Sequence, residues 1–322
     1  MAIPTFTDIC EAANRLKGVA HITPVLTSRQ LNARAGAQVF LKCENFQRVG
    51  AFKFRGAYYA VSRLPTDPPL CPVVALSSGN HAQGVALACA LLGREAHLVM
   101  PEPINPVKRA AVEGYGGHVH PAQDPHRAED LAQELTQASH GHFIHAFNDP
   151  DVIAGQGTAT LELLQGVDNL DALLAPVGGG GLLSGAALAG HAINPRLALY
   201  ACEPAGALDA FYSVQENRVV PQNNPHTLAE GLKTSLGSLT LAILRAHLSG
   251  FFVVDESEIV EAMRFTYERL KIVIEPASAV ALVPLLRRES LLEGKKVGVI
   301  LTGGNVDWAV VGPLLAKPPR VC

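Results

Sequence analysis

The chain has 322 residues, 48% of them hydrophobic and 17% charged, and a formal net charge of -3. This length exceeds what one hydrophobic core usually fills and predicts two domains, while the lack of a basic excess argues against nucleic acid as a partner. Asp8 and Glu11 stand where a signal peptide would carry positive charge, and apolar windows such as "GVALACALLG" reach about half of the ~20 residues a spanning helix needs, so a cytoplasmic protein with no membrane partner is expected.

In chain order, "QVFLKCE" (38–44) reads as a strand, and "AFKFRGA" (51–57) opens a helical run beyond it. Lys53 is bracketed there by Phe52 and Phe54. A lysine so placed is either a snorkelling surface residue or a partly desolvated amine of depressed pKa, usable as nucleophile or base. The next strand, "PVVALSS" (72–78), runs into "SSGNHAQG", where Ser77, Ser78, Gly79, Asn80 and His81 bring hydroxyls, an amide and backbone donors to a helix start. Such a turn suits a carboxylate, or simply caps the helix. "AHLVMP" (96–101) and "HFIHAF" (142–147) read as strands, with helices over "NPVKRAAVEGYG" and "RAEDLAQELTQAS" between them. His118, His120, His140, His142 and His145 are close in sequence but fall on separate elements without a pattern such as HExxH, so no zinc site is expected.

"ALLAPVGG" (172–179) leads into four consecutive glycines, Gly178, Gly179, Gly180 and Gly181, ahead of a helix. Glycine lets the backbone approach a ligand and aim successive N–H groups at it, so this is a phosphate cradle or, failing a ligand, a tight crossover. It lacks the Lys-Ser/Thr ending of a P-loop and the GxGxxG spacing, which favours a phosphate-bearing ligand other than a nucleotide. "LALYACEP" (197–204) is a strand, "SEIVEAMRFTYERL" a helix, and "KVGVILTGG" (296–304) a strand whose turn carries Thr302, Gly303, Gly304 and Asn305. Strands alternating with helices predict a parallel α/β architecture, with ligands at the carboxyl ends of the strands. A phosphate cradle, a carboxylate cradle, a hydroxyl-bearing turn and a bracketed lysine together describe a pocket for an aldehyde cofactor and an amino acid.

"AFKFRGA", "SSGNHAQG", "DPDVIAGQGT", "VGGGGLLSG" and "LTGGNVD", in this order and over nearly the whole chain, resemble the fold type II pyridoxal-phosphate enzymes of the threonine dehydratase and serine racemase group. The resemblance implies two open, mainly parallel sheets flanked by helices, of the tryptophan synthase beta-like type. It implies a larger discontinuous domain from residues 1–67 and 149–322, a smaller mobile one from 72–148, and pyridoxal 5'-phosphate in the cleft between them. Lys53 matches the lysine that forms the Schiff base, Phe52 the residue packed on a cofactor face, and Gly178 to Gly181 the phosphate loop. Asn80 matches the partner of the phenolic oxygen and Thr302 the hydroxyl facing the pyridine nitrogen. Ser77, Ser78, Gly79 and His81 belong to the loop that receives the substrate carboxylate. The implied activity is a hydroxy-amino-acid ammonia-lyase acting on L-threonine or L-serine, giving a 2-oxo acid and ammonia, in a homodimer. Lys53 takes the alpha proton, and a hydroxyl at Thr302 favours prompt elimination over a long-lived carbanion.

Ser78 stands where racemases of this group carry a serine opposite the lysine and many dehydratases carry alanine, so serine racemase is an alternative, with helix capping its plain reading. In "CEPAGALDA", Glu203, the carbonyl of Ala207 and Asp209 match the divalent-cation site of serine racemase-like members, suited to Mg²⁺, Ca²⁺ or Mn²⁺, unless the acids are ordinary surface groups. Phe147 departs from the mammalian-type racemase and resembles the aromatic residue of threonine dehydratases. Arg127, at the start of the helix expected over 127–138, is either a surface residue or the partner of a second substrate carboxylate, which would favour 3-hydroxyaspartate. Six cysteines with no CxxC pair read as reduced thiols. No appended regulatory domain, and hence no isoleucine feedback, is expected. A catalytically silent amino-acid sensor is the alternative from another class, and the intact Lys53 argues against it.

Overall fold

A computed structural model describes residues 2–77, 79–124 and 127–316, so that Ser78 lies outside the described residues. Among these, ten strands form two sheets. The larger contains β1 (Val25–Leu26), β2 (Gln38–Cys43), β7 (Ala172–Pro176), β8 (Ala198–Pro204), β9 (Gly250–Val254) and β10 (Lys296–Leu301), in the order β1-β2-β10-β7-β8-β9. Only the β1–β2 pairing is antiparallel. The smaller sheet, β5-β4-β3-β6, is built from β3 (Val73–Leu76), β4 (Ala96–Pro101), β5 (His118–Ala122) and β6 (His142–Phe143), all parallel. The α/β class read from the sequence is the class adopted.

Helices make the crossovers: α1 (Phe6–Leu16), α2 (Arg29–Ala35), α3 (Lys53–Ser62), α4 (Asn80–Leu91), α5 (Pro106–Gly114), α6 (Ala128–Ala138) and α7 (Pro150–Gly166). They continue with α8 (Gly181–Ile193), α9 (Asp209–Glu216), α10 (Ser238–His247), α11 (Glu256–Phe265), the short turns α12 (Pro276–Ala279) and α13 (Val283–Leu286), and α14 (Trp308–Ala316). Most start on local signals: Thr5 and Asp8 form a capping box on α1, and Asn105 and Asp149 cap α5 and α7 with proline directly behind them.

Parallel strands covered on both faces need no polar alternation, which is why "ALLAP" in β7 is buried at all five positions. Along β10 the side chains still divide, Val297, Val299 and Leu301 entering one core and Ile300 the other. Three helices meet backbone to backbone. A Cβ on Gly155 of α7 would lie 2.6 Å from Gly56 Cα of α3, and one on Gly185 of α8 would lie 2.5 Å from Gly157 N of α7.

The strand expected over 142–147 is shorter. Ile144 N still donates to Val74 O at 2.9 Å, after which His145 Nδ1 accepts the N–H groups of Phe147 and Asn148 and turns the chain. Among the described residues, no helix is long and apolar enough to cross a membrane.

Candidate active site

The carboxyl ends of β3, β7 and β10 open on one cleft of about 930 Å³, lined by Phe52, Lys53, Ser77, Gly79, Asn80, His81, Gly178 to Gly181 and Thr302 among others. Residues far apart in sequence are thus brought to one space, where parallel α/β sheets place ligands.

Lys53 is the first residue of α3, its Nζ donating to Ala146 O at 2.9 Å and lying 5.2 Å from the centre of the Phe52 ring. Burial pulls its ammonium down to about 8, against the opposing pull of Glu275. The amine is therefore held by one neutral acceptor, and its ammonium gives up a proton far more readily than an exposed lysine does.

The helix starts at the four-glycine turn and at the turn after β3 lack a side-chain cap, unlike α1, α2, α5 and α7. Helix α8 follows Gly180, at φ +85°, and α4 follows Gly79; neither residue offers a side chain to the first N–H groups. Uncapped helix starts leave oriented donors and positive potential for an anion. The glycines of the first turn also have a packing role that the sequence did not reveal. The ring of Phe147 covers Gly179, where a Cβ would fall 2.2 Å from Phe147 Cδ1, and a Cβ on Gly181 would meet Phe147 Cβ at 2.9 Å. Thr240 Oγ1 fixes the turn from behind by donating to Gly179 O at 2.9 Å.

On the opposite wall, Thr302 is buried with its Oγ1 2.9 Å from Ser278 Oγ. Glu275, which sequence reasoning missed, lies beside it. Asn80 Nδ2 donates to both Glu275 oxygens at 3.1 and 3.0 Å, and Asn80 Oδ1 accepts from Asn305 Nδ2 at 2.8 Å. Burial raises the Glu275 carboxyl to about 7, partly offset by Asn80. His81 is buried, its Nε2 3.3 Å from Ile144 O and its Nδ1 without a partner among the described residues; burial and then Lys53 push it down to about 3. His145, pushed to about 4 by the same two causes, also lines the cleft. A lysine, a glutamate and two histidines are all moved toward neutrality here: Lys53 and Glu275 come near physiological pH, where side chains exchange protons, while the two histidines are held as neutral rings.

Arg127 is not part of this cleft. It is 69% exposed and faces Asp130 and Glu134, 3.6 and 3.8 Å away, at the surface of α6. Glu203 and Asp209 lie at the end of β8 and the start of α9, outside the cleft lining. Glu203 accepts from Ala210 N and Phe211 N at 2.8 and 2.9 Å, and Asp209 Oδ1 accepts from Gln222 Nε2 at 2.6 Å, while the buried Asp209 Oδ2 has no partner among the described residues. Burial raises the two acids to about 8 and about 6. Among the described residues no three His, Cys, Asp or Glu side chains converge as a metal-binding group. The histidines split: His118 and His120 gather on β5 with His97 of β4, His97 Nδ1 lying 3.1 Å from His120 Nε2.

Residues 17–303 match the family model described as pyridoxal-phosphate dependent enzyme. The L-threo-3-hydroxyaspartate ammonia-lyase of Saccharomyces cerevisiae is 46% identical over 319 residues, covering 98% of each chain. That of Pseudomonas sp is 44% identical over 320 residues, covering 98% of this chain and 99% of the relative. The crystal structure of serine racemase from Dictyostelium discoideum, 41% identical, superposes with a TM-score of 0.90 over 95% of this chain and 100% of that one.

Proposed function

The chain belongs to the pyridoxal-phosphate-dependent enzymes, as a hydroxy-amino-acid ammonia-lyase of that family, and we propose that its preferred substrate is a 3-hydroxyaspartate. L-threonine and L-serine, put first from the sequence, become the poorer substrates. The observation that carries this choice is Lys108. It projects from α5 into the cleft lining, where its Nζ is ion-paired with Glu230 across the opening. A substrate with a second carboxylate offers Lys108 a counter-charge in place of the half-exposed Glu230. The two relatives named for hydroxyaspartate support the same choice.

The donor set fits the cofactor. When bound, pyridoxal phosphate supplies the aldehyde that takes the substrate's amino group and the electron sink for charge at the alpha carbon. The N–H groups of Gly178 to Gly181 and the uncapped start of α8 would hold its phosphate, Phe52 would pack on its ring, Asn80 would meet its phenolic oxygen and Thr302 its pyridine nitrogen. The N–H groups of Asn80 and His81 at the uncapped start of α4 would receive the substrate's alpha carboxylate, with the Ser77–Gly79 loop beside it, where Ser77 N–H is held by Val99 O and Gly79 N–H by Ser77 Oγ. Lys53 Nζ takes the alpha proton, a role its depressed pKa suits. The beta hydroxyl then leaves with a proton as water, and the resulting enamine tautomerises to an imine whose hydrolysis gives oxaloacetate and ammonia.

Initial rates of 2-oxo acid release from L-threo-3-hydroxyaspartate, L-threonine and both serine enantiomers, with chiral analysis of the serine, test this reading. The expected kcat/KM for hydroxyaspartate exceeds the others by about 100-fold, the order an ionic contact gives; equal or better use of threonine or serine would remove it. Appreciable enantiomer exchange would favour the racemase, which rests on Ser78 in the sequence. A divalent cation at Glu203, Asp209 and the Ala207 carbonyl is part of the same proposal, supported by the partnerless Asp209 Oδ2 and the two raised acids. So is a cytoplasmic homodimer, checked by light scattering.

A further inference from the structure

His145 sits at the turn after β6, directly before the residue whose carbonyl receives Lys53 Nζ. Its Nδ1 accepts two backbone N–H groups, from Phe147 at 3.2 Å and Asn148 at 3.0 Å. With both donors aimed at Nδ1, the neutral ring must carry its proton on Nε2. Nε2 has no protein partner among the described residues, and the ring lines the cleft, held edge-on to Phe147 at 4.5 Å. The chain thus presents to the cleft a hydrogen-bond donor of fixed tautomer that cannot accept. Its complement is an oxygen acceptor, and a carboxylate, with no proton of its own, is the best one. Lys53 nearby disfavours a second cation, so a neutral donor is the form that this wall tolerates.

Resting on the hydroxyaspartate reading above, we propose that His145 determines specificity, its Nε2–H donating to the substrate's side-chain carboxylate. The reverse assignment, in which His145 only shapes the turn through Nδ1, makes opposite demands on two substitutions. Asparagine places Oδ1 where Nδ1 was, keeping the turn but losing the distal donor. Glutamine keeps an N–H near the Nε2 position and loses the acceptor for the turn.

The experiment measures inhibition constants of the holoenzyme, wild type, His145→Asn and His145→Gln, for L-aspartate, which has the side-chain carboxylate but no leaving hydroxyl, and for L-alanine, which has neither. The expected result is L-aspartate weakened about 10- to 100-fold in His145→Asn, the range for a hydrogen bond to a charged group, and by under about threefold in His145→Gln, with L-alanine unchanged in both. Retained L-aspartate affinity in His145→Asn, or an equal loss for both ligands, would overturn the proposal. A readout without substitution is the ¹⁵N shift of His145 Nε2 in the wild-type holoenzyme, which should move with L-aspartate and not with L-alanine; an unmoved signal counts against it. Failure of the substrate reading is visible separately, as a wild-type preference for threonine or serine in turnover.

Discussion

Lys53 and Arg55 stand two residues apart on α3, both inside the protein, and are treated in opposite ways. Arg55 is fully buried and saturated: its guanidinium donates to Glu44 at 2.7 and 2.9 Å and to Glu162 at 2.6 and 2.9 Å, with Thr158 Oγ1 and His21 O beyond. Lys42 completes the cluster, bonding Glu162 at 2.6 Å and Thr23 O at 2.7 Å. Two cations meet two carboxylates. Burial works against every charge, yet Arg55 holds Glu44 below the usual carboxylate range, and Glu44 and Glu162 push the guanidinium further up. Lys53 has one carbonyl, and burial wins. The lesson is that buried charge is kept only by full pairing; where pairing is withheld, charge becomes negotiable and chemistry is possible.

The largest effect that sharpens this contrast is in turnover. Lys53→Ala is expected to lower 2-oxo acid release by about 10³-fold or more and to abolish the absorbance band of the bound cofactor, as loss of a general base does; normal turnover would sink the assignment. In stability the order reverses. Arg55→Met leaves Glu44 unpaired in the interior and should cost about 3–5 kcal/mol in denaturant melts, whereas Lys53→Ala should stay within about 1 kcal/mol of wild type. Equal losses would break the comparison.

A third, smaller effect is in pH dependence. Lys53, at about 8 in the folded chain against 10.5, means that the unfolded chain binds more protons in that window, so the stability of cofactor-free protein rises from about pH 8 to 10.5. Glu275, at about 7 against 4.5, works the other way: the folded chain holds the extra proton, and stability falls as pH climbs from 4.5 to 7. Urea melts across pH should lose the first slope in Lys53→Met and the second in Glu275→Gln. Unchanged slopes would mean that the cleft does not hold these groups neutral. The acids at 203 and 209 resemble half of the Arg55 cluster with the cations withheld. Mg²⁺ at 100 times its dissociation constant should therefore stabilise by about 2.7 kcal/mol, and not at all in Asp209→Asn, read by thermal melting with and without chelator. The smallest effect is Arg127→Ala, which should leave kcat/KM within about twofold, because this arginine lies outside the cleft.

The motif turns were legible because a parallel strand reads as a plain apolar run and its ligand-facing end as glycine and hydroxyls. The sequence was weaker where tertiary context decides. Strand β5, "HVHPA", is an edge strand with two histidines and a proline, and β9, "GFFVV", is a run of four apolar residues, too short for periodicity to tell a strand from a buried helix segment. Strand β6 was read too long because the side chain that ends it, His145, acts through a backbone cap that period and composition do not encode. Arg127 was drawn toward the cleft because its residue type suited a carboxylate, while its rotation about α6 could not be read at a helix end. Glu275 carried no motif; an acid just before Pro276, between apolar stretches, was the available signal.

The glycine contacts that join α3 to α7 and α7 to α8 have a further consequence. The spacing from the helix that begins with Lys53 to the helix that begins at the four-glycine turn is set by backbone contact at glycines, with the Gln156 side chain accepting Gly56 N–H at the first crossing. That wall of the cleft behaves as a fixed jaw. Adaptation to substrates of different size and charge must then be written in the other jaw, on the elements around the four-stranded sheet, where Lys108 and His145 both reside.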